Sequence, residues 1–115
     1  VTTRRGAYVP DAGDIVWFAF DPQAGHEQAG HRPALVLSPA AYNGKTGLMV
    51  CCPMTTQMKG YPFEVQISGE VRSAALSDQV KSLDWKARKA TRKGQATVDE
   101  LSEVRAKISA LLGLV

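Results

Sequence analysis

The segment Gln23 to Arg32 gathers His26, Glu27, His31 and Arg32 on a polar stretch that also holds Gly25 and Gly30. Imidazole and carboxylate have conjugate bases accessible near neutral pH, whereas a guanidinium is a fixed cation. RNA scission by the substrate's own 2'-hydroxyl needs such parts: a base for its proton, a cation and donors for the pentacovalent dianion, and a proton for the leaving oxygen. Polar loops hold polar residues in any case, so composition leaves a catalytic and a merely solvated reading open. A second polar segment, Thr55-Thr56-Gln57-Met58-Lys59-Gly60-Tyr61-Pro62, carries hydroxyls, an amide, a cation and an aromatic ring. These are nucleic-acid contact types; Lys59-Gly60 and Tyr61-Pro62 are also ordinary turn chemistry. Phe20, beside the first polar loop, has the ring to stack on a base or to fill a core.

No metal site is expected. The chain has no Cys-x-x-Cys, His-x-x-x-His or repeated acidic motif, and His26 and His31 have only Glu27 as a nearby third ligand. Ser38 and Ser77 lack a His/Asp arrangement, and neither a nucleophile elbow nor a phosphate-binding Gly-rich loop occurs. No cofactor is implied.

These segments must be held by short strands. After the turn Pro10-Asp11-Ala12-Gly13, the run Asp14 to Phe20 is rich in Ile, Val, Trp and Phe and predicts a strand ended by Asp21-Pro22. Gln23 to Arg32 then reads as a loop. Pro33 to Pro39 and Leu48 to Met54 are short apolar runs, as expected of strands buried on both faces, with Asn43-Gly44 as the connection between them. Phe63 to Ile67 alternates apolar with polar, and Ala75 to Leu83 is a weaker strand candidate. At the C-terminus Leu101, Val104, Ile108, Leu111 and Leu112 recur at helical spacing, Thr97 and Glu100 form a capping-box pair, and Gly113 supplies a stop. The spacing predicts a helix over 98–112. The expected fold is α+β: a small, strongly bent antiparallel barrel with the helix packed against it.

With 115 residues, 44% hydrophobic and 22% charged, the chain suits one globular domain over 1–115 with one core, residues 1–8 being expected to be flexible. Val1 to Gly6 carries Arg4 and Arg5 without an apolar core, and no run of about 18 apolar residues appears. No membrane association is expected. Cys51 and Cys52 are adjacent and on opposite strand faces, which disfavours a disulfide between them and favours a reducing cytoplasm. The net charge of +3 is unevenly spread: Lys81, Lys86, Arg88, Lys89, Arg92 and Lys93 face only Asp84 within that stretch. Such a run is a phosphate or acidic-peptide footprint, or a solvated face.

Four segments carry a resemblance. They are Gly13 to Trp17, Glu27-Gln28-Ala29-Gly30-His31-Arg32-Pro33 with its following apolar strand to Pro39, Thr55 to Val65, and Asp78-Gln79-Val80-Lys81-Ser82. In order and spacing they resemble the MazF/PemK family of bacterial toxins over nearly the whole chain. The resemblance implies an SH3-like barrel and a homodimer with RNA near its subunit interface. It further implies a cytoplasmic toxin that cuts single-stranded messenger RNA at short motifs, without ribosome or metal, to a 2',3'-cyclic phosphate and a 5'-hydroxyl. An acidic, MazE-like antitoxin would neutralise it.

Carried over residue by residue, Arg32 and Thr55 match the family's proton-transfer and transition-state positions, and Glu27 matches the acidic residue of the same loop. Because a guanidinium is a poor base, Arg32 is read as the clamp on the phosphorane and a candidate proton donor, and Thr55 as a hydrogen-bond donor to a non-bridging oxygen. The general base is Glu27 or, failing it, His26 or His31. RNA contacts are expected from Phe20, His26, His31, Thr56, Gln57, Lys59, Asp78, Gln79 and Lys81. Two departures weaken the transfer: Ala19 replaces an acidic residue, and Leu76 stands where the PemK branch has arginine. The alternative is a non-catalytic, CcdB-like toxin that binds DNA gyrase, since a barrel alone does not separate the two.

Overall fold

The computed structural model describes residues 8–19, 31–69 and 71–114. In chain order the elements are β1 (Asp14–Ala19), β2 (His31–Val36), α1 (Ala40–Thr46), β3 (Leu48–Thr55), β4 (Glu64–Ile67), β5 (Ser73–Leu76), β6 (Lys81–Asp84), β7 (Thr91–Gln95) and α2 (Val98–Leu112). The strands form one curled antiparallel sheet in the order β4-β5-β3-β2-β1-β7, with β6 also paired to β3. This half-barrel with a C-terminal helix is the expected α+β, SH3-like architecture.

The central strands are buried on both faces, which is why they read as unbroken apolar runs. One face packs Ile15, Leu35, Cys52, Met54, Val65, Ile67 and Ala75 against Val104 of α2. The other packs Val16, Phe18, Ala34, Val36, Met49 and Cys51 against Trp85. Cys51 and Cys52 thus point into different halves of the core as free thiols. Burial pushes the Cys51 thiol up to about 11, against the opposing pull of Lys81 and Arg88, and the Cys52 thiol up to about 12. Both are poor nucleophiles.

β3 is the hinge of the topology. Its first half, Leu48 to Cys51, pairs with β6, and its last two residues, Met54 and Thr55, pair with β5 on the same edge. The stretch expected as one strand over Ala75 to Leu83 is therefore two strands, interrupted by a turn in which Gln79 N–H bonds to Leu76 C=O at 3.0 Å. The interruption falls opposite Pro53, which has no N–H to offer a ladder.

Three further expectations are corrected. Asn43-Gly44 is not a bare connection but part of α1: Asn43 is fully buried, its amide donates to Pro10 C=O (2.7 Å) and Ser38 C=O (2.9 Å), and its side-chain oxygen accepts from Ser38 Oγ (2.6 Å). Trp85 Nε1 donates to Asn43 C=O at 2.9 Å and pins the same turn from the other side. His31 and Arg32 belong to β2 rather than to a loop, paired with Ala19 and Phe18, so that strand begins two residues before Pro33 and ends at Val36, where Leu37 and Ser38 turn to bond Val50. Thr91–Gln95, read only as part of a basic run, is an edge strand on β1.

α2 spans Val98–Leu112 as predicted, with both halves of the capping box made: Thr97 Oγ1 accepts from Glu100 N–H (3.1 Å) and Glu100 accepts from Thr97 N–H (2.9 Å). Leu101 and Ile108 are half-buried against the sheet, whereas Leu111 and Leu112 are exposed. At the other end of the chain Tyr8 is fixed by a 2.6 Å bond to Asp14, whose second oxygen lies 3.7 Å from Arg92 Nε. Residues 1–7, the rest of the stretch expected to be flexible, lie outside the described residues.

Candidate functional site

Sheet parity assigns the faces. In β3 the residues Met49 and Cys51 point away from α2, so Thr55, four and six residues on, points the same way; in β2 Ala34 and Val36 point that way, and so does Arg32. The β2–β3 ladder runs Val36↔Cys51, Leu35↔Cys52, Ala34↔Pro53. Continued two residues beyond Ala34, that register sets Arg32 opposite Thr55. Thr55 is in turn opposite Ala74 of β5, and Ala74 opposite Gln66 of β4. A single transverse row, Arg32–Thr55–Ala74–Gln66, thus crosses the face of the sheet that α2 leaves uncovered.

Local bonding orients the row. Thr55 is half-buried and its Oγ1 accepts from Gln57 N–H at 3.0 Å. That bond uses one lone pair and leaves the hydroxyl proton free to be donated. Lys81 is opposite Cys51 and therefore stands on the same face, and Arg88 reaches Ala19 C=O with Nη1 at 3.4 Å, beside the start of β2. Arg32, Lys81 and Arg88 make this end of the face cationic.

Beside the row lies a depression of about 250 Å³ walled by Thr55, Gln57, Lys59, Tyr61, Asp78 and Gln79. The structure therefore brings Thr55, Gln57 and Lys59 together with Asp78 and Gln79 from two parts of the chain. Thr56 instead faces a neighbouring depression. Phe20, His26 and Glu27 lie outside the described residues, and of His31 only the strand position is described. Among the described residues no three His, Cys, Asp or Glu side chains converge as metal ligands, and no helix is long and apolar enough to cross a membrane.

The basic run from Lys81 to Lys93 is divided by the fold. Arg92 is drawn to Asp14, Lys93 lies over the Trp17 ring at 5.3 Å, and Lys86 over the Trp85 ring at 5.6 Å. Lys93 owes its position to a β-bulge, since Ile15 pairs with Gly94 and Val16 with Arg92. Gln66 and Arg72, not singled out from the sequence as RNA contacts, lie on or beside this face, together with Tyr61 of the second polar segment and Arg88 of the basic run. Alternation within Phe63 to Ile67 marks Gln66 as outward-facing; nothing local marks Arg72.

A curled half-barrel with one face sealed by a helix and the other presenting a guanidinium, a hydroxyl and ammonium groups in register defines a small barrel protein suited to holding a phosphodiester. The chain belongs to the PemK-like, MazF-like toxins of type II toxin-antitoxin systems, whose family model matches residues 11–112. It is 60% identical over 107 residues to the endoribonuclease toxin MazF of Escherichia coli K12, covering 92% of this chain and 96% of that one. It is 34% identical over 108 residues to the endoribonuclease PemK of Escherichia coli, covering 89% and 81%. A crystal structure of a MazE-MazF complex from Deinococcus radiodurans superimposes with a TM-score of 0.88 at 57% identity, over 94% of this chain and 99% of that one.

Proposed function

We propose that this chain is the toxin of a type II toxin-antitoxin pair, a cytoplasmic endoribonuclease that cuts single-stranded messenger RNA at short sequence motifs without metal or ribosome. What supports the mechanism is the β2–β3 register, which, continued from Ala34↔Pro53, brings Arg32 level with Thr55 on the sheet face away from α2. The substrate's 2'-hydroxyl loses its proton and attacks the adjacent phosphorus; the bond from phosphorus to the 5'-oxygen breaks, giving a 2',3'-cyclic phosphate and a 5'-hydroxyl. Arg32 neutralises the phosphorane, where charge develops most, and Thr55 donates a hydrogen bond from its hydroxyl to a non-bridging oxygen. Glu27, or His26 or His31, takes the 2'-hydroxyl proton, and the departing 5'-oxygen takes a proton from Arg32 or from water to become the 5'-hydroxyl. Lys59, Gln57, Asp78, Gln79 and Lys81 hold the strand, joined by Thr56, Phe20, His26 and His31. The toxin works as a homodimer, and an acidic antitoxin segment neutralises it on the same cationic face.

Close relatives named as endoribonucleases favour this reading over a gyrase-binding toxin. The test is an RNA with one 2'-deoxyribose placed 5' to the scissile phosphate. Cutting should be abolished by that substitution and unchanged by chelator; cleavage of the deoxy substrate would refute the mechanism.

A further inference from the structure

The row that begins at Arg32 and Thr55 does not end at the reacting phosphate. Ala74 and Gln66 continue it across β5 and β4, and above them opens a second depression, of about 630 Å³, whose walls include Thr56, Tyr61, Gln66 and Arg72 with Ala74 as its floor. Tyr61 and Glu64 line both depressions and stand as the partition between them. We propose that this second depression is a nucleotide subsite, which takes a base flanking the cut and sets sequence preference there; it rests on the endoribonuclease reading.

The partition is built to be rigid. Glu64 accepts from Lys59 N–H (3.0 Å) and Gly60 N–H (2.9 Å), while its own N–H donates to Tyr61 C=O (3.1 Å). Gly60 takes a φ of 79°, a left-handed conformation that a side chain would strain. One residue thus locks the backbone on both sides of Gly60 and holds the Tyr61 ring out, 59% exposed. An aromatic ring carried on an ordered backbone at the rim of a polar hollow is a stacking platform.

The rest of the lining has matching chemistry. The Glu64 carboxylate is committed to the loop's own amides, which leaves the exposed Arg72 guanidinium as the charge presented to a ligand, suited to a phosphodiester oxygen. The Gln66 amide and Thr56 hydroxyl offer both donors and acceptors for a base edge. Ala74 keeps the floor low: it is fully buried, and any larger side chain there would fill the hollow. Gln66 sits two strand spacings from Thr55, about 10 Å, which is the reach of a neighbouring nucleotide rather than of the reacting one. Met58 adds an apolar patch to the lining, but the polar groups predominate, which suits a base and its phosphate better than an apolar peptide side chain.

The test uses the full chain and RNA oligonucleotides whose cut site has been mapped by sequencing fragment 5' ends. A set with 2'-deoxyribose at the cut and 2-aminopurine at successive flanking positions is titrated by fluorescence. One flanking position should be quenched on binding, and Tyr61→Ala should remove that quenching. In turnover, Tyr61→Ala, Arg72→Ala and Gln66→Leu should lower kcat/KM on a substrate extended to that position by roughly tenfold more than on one trimmed short of it. Gln66→Leu should also shift the base preferred there. Equal losses on trimmed and extended substrates, or quenching indifferent to all three changes, would overturn the subsite. Variants that weaken an acidic antitoxin peptide while sparing RNA would overturn it too, and assign the hollow to the peptide. If the chain cuts no RNA, the endoribonuclease reading falls, while the fluorescence titration still decides whether the hollow binds a base.

Discussion

Arg32 and Thr55 differ in what the fold has done for them. Thr55 sits at the end of a strand with its oxygen held by Gln57 N–H, so the position of its hydroxyl oxygen is set before any substrate arrives. Arg32 is an exposed residue near the start of β2, brought to Thr55's level only by the pairing of two strands. Groups that meet charge at the transition state should show in rate rather than in affinity. Arg32→Ala is accordingly expected to lower kcat by the order of 10²-fold or more while weakening binding of a deoxy-blocked RNA much less. Thr55→Val, which removes the hydroxyl at nearly constant volume, should follow the same pattern with a smaller loss, and Thr55→Ser should restore most of it. Single-turnover rates beside fluorescence titrations measure the split; equal losses of rate and affinity would reduce both residues to strand positioning. Arg32 was legible as the fixed cation of a polar segment, whereas Thr55 took its role from the family resemblance alone. Their adjacency was not legible, because they lie on different strands and meet only through the β2–β3 register. The same limit hid Gln66 and Arg72, whose place beside Thr55 exists only once β3, β5 and β4 are laid edge to edge.

Among the elements, α2 was the most legible, because a capping box and a helical apolar period are local signals that agree with each other. Its N-terminus also ties the molecule together: Glu100 accepts Ser68 N–H at 2.7 Å, joining the helix to the end of β4. Burial alone would raise the Glu100 carboxyl; the hydrogen bonds from Thr97 and Ser68 outweigh it and lower it from its ordinary value of 4.5. A carboxyl lowered on folding contributes stability that is fully present above its unfolded pKa and lost as pH falls through its folded one. Glu100→Gln should therefore be less stable than the parent near pH 7, by less than about 1 kcal/mol, because the amide can still close the capping box and solvent screens the carboxylate. That gap should close as pH drops well below 4.5. Urea unfolding at two pH values reads it, and a gap independent of pH would show that the carboxylate's charge plays no part. Elements whose stability is tertiary were illegible for the same reason that α2 was not. α1 holds Asn-Gly and has no apolar period, so its helix depends on Asn43 reaching Pro10 and Ser38. β7, with the sequence TRKGQ, has no alternation to read and is a strand because β1 offers it an edge.

For the whole molecule, the feature that one subunit leaves unresolved is the far end of α2. Leu111, Leu112 and Leu114 are 47%, 62% and 72% exposed, although the helical spacing of the first two suggests an inward stripe. Of that stripe only Val104 is fully buried, with Leu101 and Ile108 half-covered, because the sheet is short and the helix outruns it. Three leucines in water near a chain end forfeit burial worth about 1.5–3 kcal/mol each. The most economical cover is the same patch on a second copy, related by a twofold axis so that each helix end covers the other. A homodimer built this way would place two Arg32–Thr55 faces in one assembly, and a strand of RNA longer than one face could contact both. Replacing Leu112 and Leu114 by Lys should then halve the mass found by sedimentation at micromolar concentration. The subunit should stay folded by circular dichroism, since neither side chain contributes to the core of the single chain. Cleavage of a long RNA should fall with the loss of the dimer. A parent protein that sediments as a monomer with full activity would remove the need for the second copy, and the exposed leucines would have to be explained by some other partner.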